Sequence, residues 1–148
     1  MKEYSFKDYY KSSTNVYPIY NILDLENPDL FECEITSYQK SHSILTIHCS
    51  PTNLEISTLG FKLQFSLVSY MDLFPKWNRL DVEIATPDEC VEILSQSKYD
   101  VDTIPEDIFN QHTLYIINSK KRRLKVVAAS LVAYHLYNKD DYLNSLNV

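Results

Sequence analysis

The chain has 148 residues, 45% of them apolar, and a formal net charge of −6. That length fits one domain able to bury roughly 70% of its unfolded surface, so neither disulfides nor a metal are needed to hold it together. The acidity excludes a broad nucleic-acid footprint, the single glycine excludes the Gly-rich phosphate loops of Rossmann and P-loop folds, and no run approaches the ~20 apolar residues of a membrane-spanning helix.

Residues 1–14 are polar and aromatic. Phe6, Tyr9 and Tyr10 have the spacing of a short helix, with a loosely ordered arm as the alternative. No apolar core of a secretory signal is visible there. Val16, Tyr17, Ile19, Tyr20 and Ile22 form an apolar run broken by Pro18, which suits an edge strand or an extended segment. Asn27, Pro28 and Asp29 read as a turn. Phe31, Cys33 and Ile35 then alternate with Glu32, Glu34 and Thr36, the pattern of a strand with one dry and one wet face. After a polar loop at 39–43, residues 44–49 read as the returning strand of a hairpin. Pro51, Thr52 and Asn53 make the next turn, and Leu54, Ile56 and Thr58 alternate again.

The stretch 60–86, GFKLQFSLVSYMDLFPKWNRLDVEIAT, organises the chain. Phe61, Leu63, Phe65 and Leu67 alternate with polar residues, and after Pro75 so do Leu80, Val82 and Ile84. Two such runs predict an antiparallel sheet. Gly60 marks a bulge or bend. Thr86, Pro87 and Glu89 form a helix-start signal: a capping threonine, a proline at the first helical position, and a glutamate three residues after the cap. A helix over 87–96 is expected, docking Cys90, Ile93 and Leu94 on the sheet. Residues 100–112 read as a polar connection. Leu114 to Ile117 is a compact strand, and the segment from Leu124 has both helical and strand spacing. The paired Val126 and Val127 favour a hairpin after a turn at 119–122. Residues 140–148 suit a short helix or a loose end. The fold class expected is α+β, predominantly antiparallel β. It is a twisted or barrel-like sheet or sandwich of about six to eight strands in a single domain, 1–148, with one docked helix and short terminal helices open to it.

Three cysteines, Cys33, Cys49 and Cys90, are widely spaced within apolar patterns. They read as buried free thiols of a reducing, cytoplasmic compartment. His42, His48, His112 and His135 offer no metal-ligand spacing, so no metal or cofactor is expected. Glu32 and Glu34, and Asp81 and Glu83, each occupy one strand face about 6.5–7 Å apart. If their strands are neighbours, the four carboxylates cluster and would meet a basic partner or a cation. The plainer alternative is an ordinary solvated face. Tyr70, Phe74 and Trp77 sit in or beside the connection between the organising strands, where aromatics anchor a partner or plug the end of a sheet. Lys120 to Arg123 concentrates charge that could hold a phosphate or an RNA backbone, but it reads rather as a hydrated turn.

The function expected from these features is a non-enzymatic acidic module that binds another, basic protein, with an inhibitor or immunity protein as one concrete form. No nucleic acid and no membrane are expected as partners. A homodimer through an unpaired edge strand is open to such a fold. One alternative is a β-barrel whose lumen takes a small hydrophobic ligand, lined by Phe61, Phe65, Tyr70 and Trp77. Another is an enzyme using Glu32, Glu34, Asp81 or Glu83 as acid, base or metal ligand.

Overall fold

The computed structural model describes residues 2–5, 22–23, 25, 27–52, 60–96 and 112–136. The expected elements at 6–10, 16–21, 54–58, 100–111 and 140–148 lie outside these described residues. Ten strands and one α-helix are present among them: β1 (Lys2–Ser5), β2 (Phe31–Gln39), β3 (Ile44–Pro51), β4 (Gly60–Ser66), β5 (Tyr70–Asp72), β6 (Lys76–Asn78), β7 (Val82–Ile84), α1 (Pro87–Gln96), β8 (Thr113–Asn118), β9 (Arg123–Ala128) and β10 (Ser130–Leu136). The expected turn at 27–29 is a short 3-10 turn, Pro28–Leu30.

The strands form a six-stranded sheet, ordered β1-β10-β4-β3-β2-β6, and a four-stranded sheet, ordered β5-β9-β8-β7. Every pairing is antiparallel. Among the described residues neither sheet closes on itself and no ladder joins them, so the architecture they form is a sandwich and not a closed barrel. Inward residues of both sheets interleave in one core. Cys33, Leu45, Ile47, Leu63, Phe65 and Leu131 come from the larger sheet, and Val82, Ile84, Tyr115, Ile117, Leu124 and Val126 from the smaller. Phe65 meets Tyr115 edge-on at 5.4 Å across the interface, a favoured aromatic geometry. A second apolar cluster lies on the opposite face of the smaller sheet, where Cys90 and Leu94 of α1 cover Leu114, Ile116 and Val127.

The α+β, antiparallel class and the helix at Pro87–Gln96 are as expected. The Glu89 N–H donates to Thr86 Oγ1 at 3.3 Å, one half of the capping box. The segment from Leu124 is strand: β9 pairs β8 across the turn at 119–122. The chain then turns at Ala129 and enters the other sheet as β10. That corner is shared with the link from β4 to β5. The Ser69 N–H donates to the Val127 carbonyl at 2.9 Å, and the Ala129 N–H donates to the Ser66 carbonyl at 2.9 Å. Gly60 has φ of +119°, and a Cβ there would collide with the Cys49 carbonyl oxygen. The bend expected at this position is therefore a close backbone approach that only glycine permits.

Two expectations are corrected. The strand count is higher than six to eight because β1, β5 and β6 are too short, at three or four residues, to carry a period-two signal. The two organising runs, expected to build one antiparallel sheet, lie in different sheets: β4 in the larger and β7 in the smaller. The link between them contains β5 and β6, which take the chain to the smaller sheet and back before β7.

Candidate functional site

The topology separates the four carboxylates. Glu32 and Glu34 project from the exposed outer face of β2, where Glu34 Oε1 lies 3.9 Å from Lys76 Nζ. Asp81 precedes β7 in the other sheet, held at 3.0 Å by Arg79, which also binds Asp29 at 2.9 Å. Glu83 is only 4% exposed. It lies on the helix-covered face, with Arg123 Nη2 3.3 Å away and reaching Glu89 of α1 at 3.6 Å. Burial pushes the Glu83 carboxyl above its usual range, Arg123 pulls it partly back, and Asp81 adds to the rise. The expected cluster of four does not form. Among the described residues, no group of three or more His, Cys, Asp or Glu side chains is placed to hold a metal ion.

Phe61 and Phe65, expected to line a lumen, are core residues. Phe61 packs against Phe31 at 5.9 Å and Phe65 against Tyr115. Tyr70 joins the cluster under α1. The cysteines are buried. Burial pushes the Cys90 thiol up to about 11 and raises Cys49 well above the ordinary thiol value. This holds both in the unreactive neutral form.

The other two aromatics lead to a surface feature. Phe74, Pro75, Lys76, Trp77 and Asn78 form one wall of a cleft of about 550 Å³, and Ser119, Lys120 and Lys121 form the other. The first wall is fixed because β6 pairs with Glu32–Glu34 of β2, and the Ile35 N–H donates to the Pro75 carbonyl at 3.0 Å. Trp77 is buried from that wall into the core, and its indole N–H has no hydrogen-bond partner among the described residues. The second wall is the β8–β9 turn. Ser119 Oγ donates to the Arg122 carbonyl at 2.7 Å and accepts from the backbone N–H groups of Arg122 and Lys121 at 3.1 and 3.3 Å. Such side-chain bonds to local backbone stiffen a turn.

Two arginines clamp the walls together. At one end Arg122 donates to both oxygens of Asp72, at 3.0 and 3.1 Å, and stacks its guanidinium 4.4 Å from the Phe74 ring centroid. A bidentate fork combined with stacking is a geometry only arginine supplies. At the other end Arg79, next to Asn78, donates to the Asn118 carbonyl at 3.1 Å, beside Ser119. The cleft is thus built before anything enters it.

Of the predicted residues, the structure brings Phe74 and Trp77 into this cleft and leaves Tyr70, Glu32, Asp81 and Glu83 outside its lining. Glu34 touches it only through Lys76. The basic turn at 120–123, read as merely hydrated, supplies two lining lysines. Nothing local in the sequence joins 74–78 to 119–121, because their meeting depends on which strands share a sheet. No protein-family model matches the chain, and no curated protein or solved structure is significantly similar to it.

Proposed function

We propose that this chain is a non-enzymatic binding module that docks on another protein through the Phe74–Trp77 cleft, of the kind that inhibits or sequesters its partner. The observation that carries this reading is the cleft itself: an aromatic wall and a lysine-bearing turn, each internally braced and tied to the other by arginines. Preformed concave sites with an apolar wall and a few convergent polar groups are the usual form of a docking site. Pre-bracing lowers the ordering cost of association.

Two further observations support binding over catalysis. Glu83, one of the four carboxylates that the enzymatic alternative could use, is buried in a contact with Arg123 on the far side of the smaller sheet from the core. Asp81 is engaged by Arg79. The net charge of −6 favours long-range encounter with a basic protein. It does not describe the cleft, whose charged lining side chains are Lys76, Lys120 and Lys121.

The test is site-specific photo-crosslinking. A photoreactive residue at Asn78, in the cleft wall, is expected to give a discrete adduct with a partner protein in extracts of the native cell, including the products of neighbouring genes. The same group at Lys40, on the exposed β2–β3 turn, is expected to give none. Equal adducts from both positions, or none from Asn78, would overturn the reading.

A further inference from the structure

We infer that the segment entering the cleft is acidic: a short stretch of a partner protein carrying aspartate or glutamate beside an apolar side chain. This rests on the docking reading above and specifies its chemistry.

The carboxylates around the cleft are already engaged. Asp72 is taken bidentately by Arg122, Asp29 and Asp81 share Arg79, and Glu34 faces Lys76. These contacts also consume both arginines. Lys120 and Lys121 remain at the exposed tip of the turn with no ion pair among the described residues, and both line the cleft. The Ser119 hydrogen bonds brace the backbone beneath them, so both lysines are attached at a defined place on the cleft rim. The facing wall presents Phe74, Pro75 and the small uncovered edge of the otherwise buried Trp77. Cations on one side and aromatic carbon on the other complement a carboxylate next to an apolar group.

Size and charge narrow the occupant. A volume of about 550 Å³ falls within the range that encloses a drug-sized group, so the cleft takes a few residues of peptide and not a broad surface. A nucleic-acid strand would need many cationic contacts along its backbone, whereas the lining offers three lysines on a chain of net charge −6. That net charge opposes any anion at a distance. At an ionic strength of ~0.15 M, interactions are screened beyond ~8 Å, and lysines in direct contact outweigh remote carboxylates.

The experiment uses the full chain and fluorescence anisotropy at physiological ionic strength. Four labelled probes are compared: a pool of short peptides combining Asp or Glu with Leu or Phe, the same pool with Lys in place of the acids, polyglutamate, and a single-stranded oligonucleotide. The acidic, apolar pool is expected to bind best. The double variant Lys120→Glu with Lys121→Glu should weaken it about tenfold or more, while Lys40→Glu leaves it unchanged. Both sites are surface turns, and an unchanged unfolding midpoint verifies that the variants fold. Tighter binding of the lysine pool or the oligonucleotide, equal binding of polyglutamate, or indifference to the double charge reversal would overturn the inference. If the lysine pool crosslinks at Asn78, docking through the cleft stands and only the acidic class fails. If no probe crosslinks there, the docking reading falls as well.

Discussion

Strands β2 and β7 are written in the same alternating code and end in opposite circumstances. In β2, Phe31 and Cys33 point into the core while Glu32 and Glu34 stand in water. In β7, Val82 and Ile84 point into the same core, but Glu83 between them is buried. The difference lies in the layer beyond the sheet. Glu83 is in register with Ile116 of β8, whose face is covered by α1, and Arg123 bridges Glu83 to Glu89 of that helix. Among the described residues nothing comparable covers Glu32, which is exposed. Alternation therefore assigns a side chain to a side of the sheet, and the packing of further elements decides whether that side is wet.

The largest effects test whether both faces of the smaller sheet are true cores. Leu63→Ala, in the interface between the sheets, and Leu94→Ala, in the helix-facing cluster, should each lower unfolding free energy by about 2–5 kcal/mol in denaturant titrations. A negligible loss at Leu94 would mean that α1 contributes little cover, and the contrast between β2 and β7 would dissolve. Next comes charge reversal at matched positions. Glu83→Lys buries a cation beside Arg123 and should cost about 3 kcal/mol or more, whereas Glu32→Lys should stay within about 0.5 kcal/mol. Similar values for the two would show that Glu83 is wetter than its packing implies. Thr86→Ala removes the acceptor of the Glu89 N–H and should cost about 1 kcal/mol, read from the same titrations.

The smallest effects are in the pH dependence, and they have opposite signs. Burial, the main cause, raises the Glu83 carboxyl above its ordinary 4.5 in the folded chain. The folded state therefore holds that proton more tightly than the unfolded state, and the stability this gives is present below 4.5 and lost as pH rises through the folded value. His48, on the outer face of the larger sheet with Thr36 Oγ1 at 2.8 Å from its Nδ1, is shifted the other way. Burial and then the neighbouring Lys62 lower it from 6.5, while Glu34 opposes them. Its contribution is present above 6.5 and lost as pH falls through the lower folded value. Denaturant midpoints measured across pH should lose the first slope in Glu83→Gln and the second in His48→Gln. Persistence of either slope in its variant would assign it to another group.

The site was less legible than the fold. Phe74 and Trp77 stand out as aromatics in a connection, and Lys120 to Arg123 as a charge run, yet no local pattern places one against the other. Lys62 makes the same point within a strand. It alternates with Phe61 and Leu63 as a wet-face residue should, but it is only 5% exposed, with its ammonium 4.6 Å from the Tyr134 ring centroid. Tyr134 comes from β10, which reaches the larger sheet only because the chain changes sheets at Ala129.

What this sequence determines by itself is local. Its helix begins at a capped Thr86–Pro87 junction, its long strands follow period-two alternation, and Gly60 stands where a side chain cannot fit. Each is set by backbone geometry and neighbours a few residues away. Strand order, the burial of Glu83 and Lys62, and the cleft between 74–78 and 119–121 were decided only by tertiary structure. They depend on which faces of distant segments cover one another, and hydrophobic burial is satisfied by any partner of suitable shape, so no short stretch of sequence encodes that choice.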